Sequence, residues 1–320
     1  MILVLVIWGI RSAPQPIVVA TIALEPPATV IDPTNTALPT LVPSPTTEEK
    51  LSGSIAFKLY SDALHTYMIN VDGSDLHILA TVDIDPGRLP WYTPIWSPDG
   101  RRLVFVAHDY NFDFMPCNPN LYVGNADGSN IVKLQQAGVF PAWSPDSKRI
   151  AYSSDPQCSD NNPEIHIVNA DGTNEVQFAN SNGIHPAWSP DGKQIVFNTS
   201  GKRGYNIFVV NIDGSNLRQL TQTGSASLPT WSPDGRFIGY SAINGSFSVG
   251  IIDLNGSTLV SIDHGYAFNG PVWLPDSKHV VLTVNLEHQS KFVILNINNL
   301  HEVTVPNTPI ENIFDPVWVP

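Results

Sequence analysis

The residues best able to bind a metal or attack a substrate are nine histidines and two cysteines, Cys117 and Cys158. Their spacing builds no recognisable site. The histidines (His65, His77, His108, His166, His185, His264, His279, His288 and His301) are scattered, and no His-Glu-x-x-His pair occurs among them. No Gly-x-Ser-x-Gly elbow is present to expose a nucleophilic serine. Two thiols are too few for a four-thiolate zinc site or a disulfide framework. The acidic phrases Asn-Val-Asp-Gly-Ser and Asn-Ala-Asp-Gly-Ser invite comparison with calcium loops, because they alternate Asp or Asn ahead of a glycine. They lack the closing bidentate glutamate, and a tight hairpin turn accounts for them fully. The sequence therefore assigns no catalytic residue, no metal ligand set and no cofactor.

The same phrases are informative once their recurrence is followed. A Pro-x-Trp triplet returns at Trp96, Trp143, Trp188, Trp231, Trp273 and Trp318, at intervals of 47, 45, 43, 42 and 45 residues. In the first five copies it opens a longer phrase ending in Pro-Asp-Gly or Pro-Asp-Ser. A second turn phrase lies between successive copies, beginning at Asn70, Asn125, Asn169, Asn211 and Asp253. Between these turns run short segments rich in Ile, Val, Phe and Tyr, such as KQIVFNTS and YNIFVVNI. Their composition is that of strands, and no helical period appears. Four strands per period of this length are the signature of a β-propeller blade. The expected fold is all-β: a six-bladed propeller of four-stranded antiparallel blades. The first blade, from Gly53, has three strands and no Pro-x-Trp strand before them. The final segment, DPVWVP, supplies only that missing strand, so it is expected to complete the first blade and close the ring.

The phrase Pro-x-Trp-Ser-Pro-Asp-Gly, then Ile-x-Phe, then Asn-x-Asp-Gly-Ser resembles the TolB-type (WD40-like) propeller repeat, in phase over residues 53–320. Blade 6 departs most, with Leu274 in place of the serine; in blade 5 Asn255 replaces the turn aspartate. TolB itself carries an α/β domain before its propeller, and a Pro/Thr-rich stretch occupies that place here. The resemblance implies a periplasmic or extracellular platform that binds protein or other ligands. It also embraces propellers attached to prolyl-oligopeptidase-like hydrolases, whose catalysis belongs to another domain.

The N-terminal region reads differently. Residues 1–24 contain the apolar runs MILVLVIWGI and PIVVATIAL, expected to act as a signal peptide or membrane anchor. Residues 25–50 form a Pro/Thr-rich linker, and residues 51–320 the propeller. This layout suits an extracytoplasmic monomer, held by its N-terminus to a membrane or released from it. The net charge of −13 excludes nucleic acid, whose recognition rests on Lys and Arg neutralising phosphates.

Strand order places the loops. The turns joining a blade's first strand to its second, and its third to its fourth, emerge on one face and are short and uniform. The second-to-third connections and the links between blades emerge on the other and vary in length, which makes that face the expected binding surface. It includes HDYNFDFMPCNPN and SSDPQCSDNNPE. Tyr110, Phe112, Phe114 and Met115 on the first loop either fill a partner's pocket or pack on their own blade. Cys117 and Cys158 lie on loops of adjacent blades, where they form either an inter-blade disulfide or two buried thiols. The residue before each Pro-x-Trp proline should encircle the channel mouth: Thr93, Phe140, His185, Leu228, Gly270 and Asp315. This set has no single charge and suits a peptide or small polar ligand. The leading expectation is a non-catalytic scaffold for a protein, peptide or glycan. The alternative is an enzyme with a channel-mouth site, a propeller-type glycan lyase or hydrolase.

Overall fold

The computed structural model describes residues 51–59, 62–78, 93–107, 119–136, 138–154, 163–178, 183–201, 204–243, 247–263, 270–286, 289–308 and 313–319. Six four-stranded antiparallel sheets make up this part of the chain. Blade 1 contains β1 (Ser54–Leu59), β2 (Asp62–Asn70) and β3 (His77–Ile78). Blade 2 contains β4 (Ile95–Trp96), β5 (Arg102–Ala107), β6 (Asn120–Asn125) and β7 (Val132–Gln136). Blade 3 contains β8 (Gly138–Trp143), β9 (Arg149–Ser154), β10 (Ile165–Asn169) and β11 (Val176–Phe178). Blade 4 contains β12 (Gly183–Trp188), β13 (Gln194–Gly201), β14 (Gly204–Asn211) and β15 (Arg218–Gln219). Blade 5 contains β16 (Ala226–Trp231), β17 (Phe237–Ile243), β18 (Phe247–Asp253) and β19 (Thr258–Asp263). Blade 6 contains β20 (Val272–Trp273), β21 (His279–Leu286), β22 (Gln289–Asn296) and β23 (Glu302–Thr304).

The last strand, β24 (Ile313–Val319), does not stay with blade 6. It pairs with β1, with Ile55 opposite Trp318 and Leu59 opposite Ile313, so the first sheet runs β24-β1-β2-β3. The fourth strand of blade 1 is thus taken from the other end of the chain, as the incomplete sixth Pro-x-Trp phrase implied. Gly53 marks how closely the two ends meet: a Cβ there would lie 1.8 Å from the Trp318 ring, and its φ is +129°. The Pro-x-Trp strands touch in succession, β4 to β8, β12, β16, β20 and β24, which places them at the centre of the ring.

The core lies between blades. One cluster joins Ile55, Phe57 and Ile69 of blade 1 to Val281, Phe292 and Ile294 of blade 6. Others join blade 2 to 3, 3 to 4, 4 to 5 and 5 to 6, each containing a repeat tryptophan of the later blade. Trp143 Nε1–H donates to the Ile95 carbonyl at 3.0 Å, and Trp231 Nε1–H to that of Ala187 at 3.2 Å. The indole therefore fills a seam with apolar surface and, at these two positions, ties itself to the preceding inner strand.

The turn aspartates are occupied structurally. Asp99 Oδ1 accepts the Ser97 hydroxyl at 2.6 Å and the Arg101 N–H at 3.1 Å, and the same arrangement recurs at Asp146, Asp191 and Asp234. Where Leu274 replaces the serine, His279 Nδ1 meets Asp276 Oδ2 at 2.6 Å instead. Two turns carry serine in place of glycine, and Ser147 and Ser277 adopt φ of 58° and 56°. Each hydroxyl accepts an N–H from the preceding blade, Asp99 N at 3.1 Å and Asp234 N at 2.9 Å. The strained serine thus contributes a bond between blades that glycine could not make.

Candidate functional site

The pre-proline residues enter the inner strands differently from a simple loop junction. In blades 1, 3, 4 and 5 the register between first and second strand slips at this point. Phe140 and Pro141 together oppose Tyr152; His185 and Pro186 oppose Phe197; Leu228 and Pro229 oppose Tyr240. Phe140, His185 and Leu228 have φ of 53°, 55° and 54°, the left-handed region that bulky residues avoid. Proline cannot donate to the ladder, so a bulge that takes it out of the pairing accommodates it. The proline that marks the repeat thereby forces a strained residue at the same place in successive blades. Such strain persists where surrounding contacts fix it.

Those contacts connect one blade to the next. The Phe140 and His185 rings lie 3.9 Å apart between centroids. His185 Nδ1 is 2.9 Å from Asn198 Oδ1, and the Leu228 N–H donates to that same oxygen at 3.2 Å. Gly270 sits so close to the Leu228 carbonyl that a Cβ on it would lie 2.3 Å from the oxygen. Four of the six residues expected at the mouth therefore form one arc, Phe140, His185, Leu228 and Gly270, with Asn198 joining the middle two. Thr93 is buried ahead of the short β4, and Asp315 lies in β24 opposite the Phe57 bulge position. Tyr110, Phe112, Phe114, Met115, Cys117 and Cys158 lie outside the described residues.

Asn198 was not singled out by the sequence. It is fully buried, and two donors on its oxygen fix the orientation of the amide. Its Nδ2 is then left without an acceptor. A signal existed: the position after the large apolar residue of the second strand is polar in five blades, as Lys58, Ser153, Asn198, Ser241 and Thr283, although a core position is expected there. Ser153, Asn198, Ser241 and Thr283 are buried. His185 is partly exposed, with Asn198 and Phe140 against its ring. Burial pushes its pKa down to about 4, against the opposing effect of the Asn198 hydrogen bond. At neutral pH the imidazole is uncharged, donates from Nδ1 and presents Nε2 as an acceptor. The arc thus offers an apolar ring and, on the partly exposed His185, a neutral acceptor, with the Asn198 amide buried behind it. This arrangement suits hydrogen bonding to a polar, uncharged group.

Among the described residues, no three His, Cys, Asp or Glu side chains converge where they could hold a metal ion.

The family model described as "TolB beta propeller domain" matches residues 52–320. Among solved structures, the chain is similar to TolB from Acinetobacter baumannii at 20% identity and a TM-score of 0.65, covering 84% of this chain and 67% of that one. A putative TolB from Agrobacterium tumefaciens has 17% identity and a TM-score of 0.56, covering 85% of this chain and 100% of that one. An oligogalacturonate lyase in complex with manganese shares the fold at 15% identity and a TM-score of 0.57, covering 74% and 73%. No curated protein matches the chain.

Proposed function

This chain belongs to the TolB β-propeller family, and from that premise we propose that it is a non-catalytic, extracytoplasmic binding scaffold. Its ligand is a protein, peptide or glycan, docked on the face that carries the inter-blade links and the second-to-third-strand loops. The observation that carries this reading is the arc from Phe140 to Gly270, with the neutral, partly exposed His185 acceptor at its centre. A backbone amide or an N-acetyl group offers the N–H for His185 Nε2.

Residues 1–24 deliver the chain to, or hold it at, a membrane, and residues 25–50 space the propeller from it. An inter-blade Cys117–Cys158 disulfide accompanies an oxidising compartment. A mass measurement without reductant tests this: the bonded form is lighter by two hydrogens, and a free-thiol mass contradicts it.

The binding reading is tested by capturing ligands from a cell-envelope extract with the full chain, beside the Leu228→Asp variant and an exposed control, Arg218→Ala. Leu228→Asp sets a charge beside the mouth and should abolish specific capture, while Arg218→Ala retains it. Equal capture by all three contradicts a ligand at the mouth.

A further inference from the structure

The opposite face holds a pocket of about 270 Å³ in the seam between blades 2 and 3. Its origin can be read from the repeat. One residue after each third strand, the ring carries Val71, Ala126, Ala170, Ile212, Leu254 and Ile297. Val71 and Ile297 are buried in the seams with their preceding blades, and Ile212 and Leu254 pack against theirs. Ala170 occupies the same place between blades 2 and 3, against Val104 and Val123. It lacks the methyl groups that fill the other seams, and the pocket opens beside it. Ala126 leaves the same deficit between blades 1 and 2, where the preceding link lies outside the described residues.

The chemistry of the walls is specific. Val123, Leu134 and Ala170 form an apolar side. Arg102 lines it with its guanidinium 5.1 Å from the Trp143 ring centroid, held by an Nη2–H donated to the Ser147 carbonyl. Among the described residues that carbonyl is the only acceptor its side chain has, so most of its five N–H donors are unspent. Asp171 also lines the pocket, its Oδ1 accepting the Thr173 N–H at 2.9 Å and the Thr173 hydroxyl at 2.6 Å. Arg102 and Asp171 feel each other's charge yet form no ion pair within 4.0 Å. A cation, an anion and an apolar wall thus line one cavity, with the two charges more than 4.0 Å apart.

We propose that this seam pocket binds a free aliphatic α-amino acid, with its carboxylate on Arg102, its ammonium toward Asp171 and its side chain in the volume that Ala170 leaves empty. A zwitterion bridges opposite charges that do not reach each other, and guanidinium and carboxylate make the strongest such contact. A branched side chain replaces the valine, isoleucine or leucine of the other blades. This site is independent of the mouth, because it lies among the short turns of the other face.

The test is titration of the full chain with L-leucine, followed by calorimetry and by chemical shifts. Four comparisons accompany it: leucinamide, 4-methylpentanoate, the Ala170→Ile variant and the Arg102→Gln variant. Ala170→Ile installs the residue of blades 4 and 6 and should raise the melting temperature, which shows that the fold is intact, while eliminating leucine binding. Arg102→Gln installs the residue found at Gln194 and should weaken binding about tenfold or more. Leucinamide lacks the carboxylate and 4-methylpentanoate the ammonium, so each should bind about tenfold or more weakly than leucine. The proposal is overturned if leucine does not bind, if Ala170→Ile binds it unchanged, or if either truncated analogue binds as well as leucine.

Discussion

Protonating His185 should loosen the propeller well before the carboxylates titrate. In the folded chain its pKa is pushed down to about 4, chiefly by burial, against 6.5 for an exposed imidazole. The unfolded chain therefore binds this proton more readily. Stability is fully present above the unfolded pKa and is lost as the pH falls toward the folded one. The difference is worth at most ~3 kcal/mol, and about 2 kcal/mol after allowing for the surface that His185 retains. Asp99, Asp146 and Asp191 have pKa values lowered first by the hydroxyls of Ser97, Ser144 and Ser189. Their contribution is lost only as the pH drops below the unfolded value of 3.8, so the two windows separate. The assay is urea unfolding followed by tryptophan fluorescence from about pH 7 down to about pH 4, on the wild type and His185→Gln. Glutamine can still donate to Asn198 but does not titrate. The wild type should lose about 2 kcal/mol more than the variant over this range. Parallel losses would refute the buried, neutral assignment of His185.

Other expectations follow from the seams and turns. Trp143→Ala should cost about 3–5 kcal/mol in urea unfolding, and Trp143→Phe about 1–2 kcal/mol, because the ring is largely kept while the bond to Ile95 is lost. Ser147→Ala should destabilise by about 1–2 kcal/mol, since it keeps a left-handed backbone and loses the hydroxyl that accepts the Asp99 N–H. Ser147→Gly loses the same bond but relieves the backbone, so its melting temperature should lie above that of Ser147→Ala. Gly53→Ala should lower stability by more than 2 kcal/mol, because its Cβ would enter the Trp318 ring at a φ of +129°. Thermal unfolding of that variant, with Gly214→Ala as the control that has nothing within 4 Å, checks the expectation.

The architecture was legible because it is repeated. Six tryptophans in phase fixed the number of blades, and the lone DPVWVP strand pointed to closure with β1. The two aspartate turns were equally plain, since Asp and Gly at those spacings dictate a turn whatever surrounds them. The mouth was less legible. The sequence placed Phe140, His185, Leu228 and Gly270 at equivalent positions but could not show that a bulge at the proline holds the first three and brings neighbours into contact. Asn198 was hidden for a related reason: its partners come from its own inner strand and from the next blade, which no local pattern reports. The seam pocket depends on a missing side chain, Ala170, and becomes visible only by comparing equivalent positions across blades.

The account rests on β24 completing the first blade, because that union fixes both faces of the ring. Native-state hydrogen exchange on the full chain tests it most directly. The amides of Ser54–Leu59 and Ile313–Val319 that bond across the pair should exchange together, with the protection of a single cooperative unit. Rapid exchange throughout Ile313–Val319 while β1 and β2 stay protected would contradict a closed ring.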